Sequence, residues 1–413
     1  MAEKLTADGW LLVSAALVLF MTPGLAFFYG GMDRSRNVLN MLMMNFWCML
    51  SIPIAWVVLG YSIAGGNFDA GWFGGFDAAF LGNLNLNSQA GANELLLVAF
   101  LGMFAVITPA LISGAIADRM KFAAWAIFAP AWMLLVFAPV FKWVYGGWLG
   151  VRGSLDFAGG TAIHVNAGIA ALVAVLILGK RKGWPSEGHP PHSMPLVMIG
   201  TGILWFGWFG FNAGSSVNAD GTAVQAFMNT FIAAAAAGLA WCIVERIRDG
   251  HFTNLGAASG IVAGLVAITP ACGYVSTMSS IWIGLAAGVI CCFAVRVKFK
   301  AGFDDALDVV GVHFVGGLVG SLLIGLFADA KYFGAEHMSG LFYGGGFTLL
   351  GEQALANGVT IIWSGVITAL ILLALKYTIG IRVSEEAEVT GLDVSEHAET
   401  AYNGDSLMER AGL

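Results

Sequence analysis

The sequence predicts an all-α polytopic membrane protein: eleven transmembrane helices, two inverted repeats of five plus a final long helix. Three observations carry this. Of 413 residues, 58% are hydrophobic and only 11% are charged, with a mean hydropathy of +0.80. A soluble domain carries about 25% charged residues. The apolar runs are about 20 residues long, twice the ~10 residues of a barrel strand. In lipid every backbone polar group must be paired internally, so runs of that length are helices. Finally, the segments between runs alternate in basic charge.

The spans read, in order, 10–32, 38–64, 94–117, 123–144, 158–179, 195–215, 224–244, 255–272, 279–295, 309–328 and 353–376. Glycine is spread through them (56 residues) rather than confined to loops, and small residues let membrane helices approach closely. Arg34, Arg36, Arg119, Lys121, Lys180, Arg181, Lys182, Arg246, Arg248, Arg296, Lys298, Lys300, Lys376, Arg382 and Arg410 fall on one side. These are 15 of the 19 basic residues. Lys4, Lys142, Arg152 and Lys331 fall on the other. Basic residues stay cytoplasmic, so the N-terminus is expected outside and the C-terminus inside. No cleaved signal peptide is evident, because the first nine residues hold two acids and one Lys. The net charge of −7 carries no nucleic-acid signal. Cys48, Cys242, Cys272, Cys291 and Cys292 lie in or at the ends of apolar runs, without metal spacing, and read as small hydrophobes.

Five spans is an odd number, so two halves of five, about 10–179 and 195–328, enter with opposite orientation. Inverted repeats with a site at the midplane are a recurring transporter plan. The last span of each half carries a related phrase, Asp156-Phe-Ala-Gly-Gly-Thr-Ala-Ile-His164 and Asp308-Val-Val-Gly-Val-His313. An acid at a helix start caps free N–H groups and matches the dipole. Asp156 and Asp308 are therefore read as structural and electrostatic. At 1.5 Å rise, His164 lies ~12 Å and His313 ~8 Å beyond its Asp, so both approach the midplane. Ile-Thr-Pro-Ala also recurs, at 107–110 and 268–271, but is too short to weigh.

An ionisable side chain inside hydrocarbon is costly, faces a cavity or bundle interior, and marks a functional site by default. Each neutral imidazole offers one donor and one acceptor. An adjacent pair shares one proton between facing nitrogens and keeps a position for a passing molecule. That suits a small solute able to give up a proton, ammonium passing on as ammonia. It suits K⁺ poorly, for which a carbonyl-lined filter is expected. The bland alternative, two separately satisfied packing histidines, loses weight because they recur in matching phrases. Phe100 and Phe104 lie four apart on one helix face. Trp208, Phe209 and Phe211 crowd the span that ends Asn212-Ala-Gly-Ser215. Aromatic faces attract a desolvated cation by ~1–2 kcal/mol, and a Ser hydroxyl accepts a bond from it.

The chain resembles the ammonium transporter (Amt/MEP/Rh) family, bacterial Amt type, over nearly its whole length. The resemblance rests on Thr22-Pro-Gly-Leu-Ala-Phe-Phe-Tyr-Gly-Gly31, the two phrases ending in His164 and His313, Gly207-Trp-Phe-Gly-Phe-Asn-Ala-Gly-Ser215 and Thr269-Pro-Ala-Cys-Gly-Tyr274. It implies a homotrimer with one pore per subunit, in the cell (inner) membrane. It makes His164 and His313 the twin pore histidines and Phe104 and Phe211 the stacked gate. Ser215, Phe100 and Trp208 become the outer recruitment site, and Asp156 the structurally critical acid. One departure stands out. Where many bacterial members carry a Trp before two glycines, this chain has Tyr145, with Trp143 two residues off on another helix face.

Residues 1–376 thus read as the transmembrane domain and 377–413 as a cytoplasmic tail. Composition alone makes the acidic tail solvated and partly helical. The resemblance makes it regulatory, docked on the cytoplasmic face, where many members bind a PII-type nitrogen-signal protein. The expected function is ammonium transport across the lipid bilayer, without enzymatic chemistry and without a cofactor. Its main rival is an ammonium sensor signalling through the tail. A Rh-like gas channel and an intramembrane metalloenzyme built on His164 and His313 rank lower, the second for want of a third ligand in those spans.

Overall fold

The computed structural model describes residues 2–402, apart from 66–71, 83, 85, 86, 333 and 335–337, with side chains from residue 7 onward. Arg410 and the tail beyond 402 lie outside the described residues, as does the side chain of Lys4. Among the described residues every regular element is a helix, with no strand and an isolated bridge between Met120 and Arg382.

Among the described residues, ten helices are long and apolar enough to cross a membrane. They are α1 (Ala2–Met32), α2 (Val38–Gly65), α3 (Gln89–Ser113), α4 (Phe122–Arg152, with a turn after Val144), α5 (Gly160–Leu178), α6 (Met194–Ser216) and α7 (Gly221–Asp249), then α9 (Thr277–Ala301), α10 (Val310–Phe327) and α11 (Thr348–Thr378). The expected span 255–272 is shorter than its apolar pattern. Its helix, α8 (Asn254–Ile268), has 15 residues. The cause is local: Pro270 supplies no N–H to continue the ladder, and the helix ends just before it, with Thr269 still helical in backbone and bonded to Leu265 O. In α2 and α4 a half-buried Pro is absorbed instead. Pro53 precedes a widened turn over Trp56–Gly60, and Pro130 one over Met133–Phe137.

Small residues set the helix separations. Along the α1–α6 contact, a Cβ on Gly200 would lie 2.3 Å from the Phe28 backbone nitrogen, so any larger residue there would push the pair apart. The two halves interlock at their fifth helices. The segment entering α5 donates from Phe157 N to Pro270 O, just past α8. The segment entering α10 donates from Ala306 N and Leu307 N to Ala115 O and Gly114 O, just past α3. Each half thus closes the entrance of the other half's last helix with its own third helix.

After α11 the chain turns back along the face that carries most of the basic residues, called the tail face below. Two short helices follow, α12 (Glu385–Thr390) and α13 (Leu392–His397). They are not a solvated appendage. Lys121 N donates to Ile381 O and Val383 N to Arg119 O. Leu392 N donates to Asn37 Oδ1 at 2.8 Å, and Asp393 Oδ1 accepts from Asn40 N at 2.8 Å. Glu388 accepts from Lys182 N at 2.7 Å and from Arg382 at 2.8 Å. Leu392, Glu388 and Asp393 are buried. Composition cannot reveal this, because the tail is bound mainly through backbone groups of the loops beneath it.

Candidate functional site: a histidine pair between two cavities

His164 and His313 both sit in widened, π-type turns, Gly160–Val165 at the start of α5 and Val310–Phe314 leading into α10. Such turns displace a side chain from the regular helical position and recur at functional sites. Here they bring the rings together from opposite halves. The ring centroids are 5.3 Å apart with planes at 19°, and Nδ1 faces Nδ1 at 3.2 Å. Both residues are buried.

The surrounding bonds assign the tautomers. The Tyr29 hydroxyl donates to Leu111 O at 3.1 Å. Its oxygen is therefore the acceptor in the 3.4 Å contact with His313 Nε2, which carries the proton. A neutral His313 then has a bare Nδ1, so His164 Nδ1 donates across the pair. His164 Nε2 is left as a bare lone pair, and it is buried without a partner. It borders a narrow apolar cavity of about 10 Å³ lined by Met21, Leu25, Ile107, Trp208, Phe211 and both histidines, among others. One water needs roughly 10–15 Å³ on this measure, so the space fits one very small molecule.

Trp208 belongs to this inner cavity and not, as expected, to the outer mouth. Its ring stacks on His164 with centroids 5.5 Å apart. Its Nε1–H donates to Thr269 Oγ1 at 2.8 Å, so the Thr269-Pro270 turn that ends α8 also holds the ring against the histidine. The family resemblance grouped Trp208 with Ser215. Helical rise separates them by seven residues, roughly 10 Å along the axis.

On the far side of the bundle from the tail, a second cavity of about 350 Å³ is lined by Tyr61, Phe100, Phe104, Tyr145, Phe157 and Ser215, among others. Phe104 and Phe211 separate the two cavities, with centroids 4.4 Å apart. Phe104 lines the outer cavity and Phe211 the inner one. Phe100 packs edge-on against Phe104 at 4.9 Å. Ser215 Oγ donates to Phe211 O at 2.7 Å, which commits its proton and leaves its lone pairs to accept. Tyr145 lies at the turn within α4, before two glycines, and rests on Phe141 at 4.6 Å. Trp143 turns away into a separate cluster with Trp72, Trp148 and Trp363 and does not line the mouth.

The acids separate into two roles. Asp156 accepts four backbone N–H groups, from Gly159, Gly160, Thr161 and Ala162, at 2.7–3.0 Å. It satisfies the free N–H groups at the start of α5. Asp308 does not do the same for α10. It has a positive φ of 64° and pairs with Lys298 Nζ at 2.6 Å. The capping acid is Asp305, which accepts from Val309 N at 3.1 Å and Val310 N at 2.7 Å. Asp305 lies eight residues before His313, as Asp156 lies eight before His164. In this register Asp308 matches Gly159, also at positive φ. The phrase read from sequence was three residues out of step, because it took the nearer of two acids. Burial lifts the Asp305 carboxyl to about 6, against the pull of Lys298 and the two N–H groups.

On the tail face, Arg181 is buried between Asp304 (2.8 Å) and Asp118 (3.2 Å), and Arg34 reaches Asp118 at 3.1 Å. Burial works against the charge on Asp118, but Asp33, Arg34, Arg181 and Asn37 together hold its carboxyl well below the usual range. Beside this cluster a cavity of about 280 Å³ opens between Met32, Trp184, His189, Lys298 and Asp308, among others. The sequence reading passed over Tyr29, Asp305 and Thr269. Tyr29 and Thr269 lay inside quoted phrases, but only contacts across helices give them a role.

A buried imidazole pair behind an aromatic constriction, in a bundle of membrane-length helices, defines a multi-pass membrane transporter. The chain belongs to the ammonium transporter family, matching the Ammonium Transporter Family description over residues 9–402. It is 50% identical over 427 aligned positions to an ammonium transporter of Mycobacterium tuberculosis, covering 95% of this chain and 89% of the relative. It is similar to the crystal structure of Candida albicans Mep2, with a TM-score of 0.86 at 34% identity over 92% of this chain and 87% of the other. It is also similar to a solved protein described as a sensor Amt protein, with a TM-score of 0.89 at 29% identity over 96% and 99% of the two chains.

Proposed function

We propose that the chain recruits ammonium at the mouth opposite the tail and passes ammonia along the histidine pair. The observation that carries this is the bare, buried His164 Nε2 in a cavity fit for one small molecule, with its ring joined to His313 at 3.2 Å. At the mouth, Ser215 offers only acceptor lone pairs, and Phe100 and Tyr145 offer aromatic faces. A cation over such a face gains ~0.5–2 kcal/mol. Squeezing past Phe104 and Phe211 strips its water. Inside, an ammonium N–H bond breaks, the proton forms a bond to His164 Nε2, and neutral ammonia moves on. The proton either crosses through the pair, which gives a current, or returns to the mouth, which gives none. Asp156 and Asp305 hold the two turns in shape and take no part in the transfer of the ammonium proton.

The same reading sets the N-terminus outside and the tail in the cytoplasm, in the cell inner membrane, since the alternation of loops along the sequence assigns 15 of the 19 basic residues to the tail side. Family membership supports a homotrimer with one pore per subunit, acting as a transporter and not as an enzyme. It also supports a PII-type protein docking over the tail face. An ammonium jump on proteoliposomes tests the core of the proposal, with current and internal pH both recorded and K⁺ as control. An ammonium-evoked signal in at least one channel is expected. Silence in both ends the transport reading, and a K⁺ current of equal size ends the selectivity argument.

A second reading, an ammonium sensor, is favoured by one feature, the tail clasped to the loops after α1, α3 and α5. The likeness to a protein described as a sensor points the same way. A variant with both histidines replaced by Leu separates the two readings. If its transport is lost while ammonium still changes the protease exposure of the tail, the sensor reading is the better one.

A further inference from the structure

The histidine-bearing turns are joined by a third helix that belongs to neither repeat. Along α11, Gln353, Asn357, Thr360, Ser364 and Thr368 recur at spacings of three and four residues and are all buried. Such a stripe occupies one face of a helix. Two of its members converge on the entrances of α5 and α10. Asn357 Nδ2 donates to Ser321 Oγ at 2.8 Å, and Asn357 Oδ1 accepts from Thr161 Oγ1 at 3.1 Å. Thr161 and Ser321 also touch each other, oxygen to oxygen, at 3.0 Å. One turn earlier, Gln353 Nε2 donates to Leu155 O at 2.8 Å and to Ser321 O at 3.0 Å, and its Oε1 accepts from Leu155 N at 2.7 Å.

We infer that Gln353 and Asn357 are positioning residues for ammonium transfer, setting the separation of His164 and His313 by bonding both of their helices at once. Thr161 stands three residues before His164 on the same widened turn, and Ser321 lies on the helix that continues from His313. The geometry explains why α11 carries amide side chains where a lipid-packed helix needs none. Leu155 adjoins the capping Asp156, so Gln353 also fixes the level at which α5 begins. The bonds are short, mutually satisfied and buried, and a satisfied buried network of this kind holds one arrangement firmly. A pair sharing a proton over 3.2 Å tolerates little drift before the shared bond is lost.

This inference rests on the proposed transport reading, and its test keeps the two apart. Thr161→Val removes the hydroxyl at nearly constant shape, Thr161→Ser keeps it, and Asn357→Leu removes both amide bonds. Each full-length protein, with ¹⁵N-labelled histidine, is measured for imidazole nitrogen shifts and for ammonium-evoked current. Thr161→Val and Asn357→Leu are expected to move the coupled Nδ1 resonances toward those of isolated imidazoles. Their current should fall on the order of tenfold to a hundredfold, and Thr161→Ser should restore both readouts. Unchanged Nδ1 resonances in Thr161→Val overturn the inference, even if current falls, because the loss would then be structural. If Asn357→Leu does not fold, the Thr161 pair decides. If the wild type carries no ammonium signal, the transport reading fails, while the nitrogen spectra still judge whether α11 sets the pair.

Discussion

Gly168 and Gly317 hold matching places, each four residues past its histidine, and each lies against the turn that carries the other histidine. A Cβ on Gly168 would stand 2.5 Å from the backbone nitrogen and Cα of Phe314, next to His313. A Cβ on Gly317 would stand 3.0 Å from the Cβ of His164 and from Val165 N. The rings meet because both helices are bare where they cross. Gly168→Ala presses on backbone that cannot yield and should cost about 1–3 kcal/mol of stability, with a clear loss of ammonium-evoked current. Gly317→Ala meets looser contacts and should be milder. Thermal unfolding in detergent, paired with proteoliposome currents, checks the order, and the reverse order would contradict this account of the crossing.

Tyr29 assigns the direction of the proton in the pair. Tyr29→Phe removes the acceptor for His313 Nε2 and frees either tautomer. A buried bond of this kind contributes about 0.5–1.5 kcal/mol, so a several-fold loss of transport is expected with little change in melting temperature. Histidine nitrogen spectra should show two tautomers where the wild type shows one. A single unchanged tautomer would mean that Tyr29 does not set it.

Tyr145 lines the outer cavity, where the proposed recruitment brings a cation over its π face. Trp is the better cation–π partner, so Tyr145→Trp should lower the half-saturating ammonium concentration by a few-fold and leave the maximal rate nearly unchanged. Concentration dependence of the initial current reads both. A changed maximal rate at constant half-saturation would place Tyr145 in the transfer step instead of recruitment.

Asp305 links stability to pH. Its carboxyl is raised from 3.8 to about 6, chiefly by burial. The protonated form is the one the fold prefers, so this contribution is complete below pH ~4 and is lost as pH rises through 6. Asp305→Asn has no such titration. The melting temperature of the variant relative to wild type should therefore rise between pH 4.5 and 7.5, whatever the constant offset from the changed cap. A flat difference over that range would show that Asp305 stays ionised throughout.

How much of the site was legible follows from the range of each signal. His164, His313 and the Phe104–Phe211 constriction were visible because an ionisable ring in an apolar run, or an aromatic on a helical period, is a local anomaly. Asp156 was visible because capping is a local interaction. Asp305 was missed because Asp308 stands closer to His313, and only the backbone bonds distinguish a cap from an ion pair with Lys298. Trp208 was placed too far out, since adjacency in sequence hides the axial rise of a helix. The stop at Pro270 was readable from sequence, but the apolar pattern running to Cys272 outweighed it. The docked tail was not readable from composition, because its partners are loop backbones after α1, α3 and α5.

Taken by itself, the sequence determined the membrane class, the polarity of charge across the bundle and the residues able to exchange a proton, because hydrophobicity, charge and side-chain chemistry belong to single residues and short windows. The tertiary structure alone decided which nitrogen of His164 is bare, which acid caps α10, and that α11 bonds both histidine helices. The first and last depend on atoms distant in sequence meeting within about 3 Å, a distance set by helix crossings, and the cap depends on which of two neighbouring acids Lys298 draws into an ion pair.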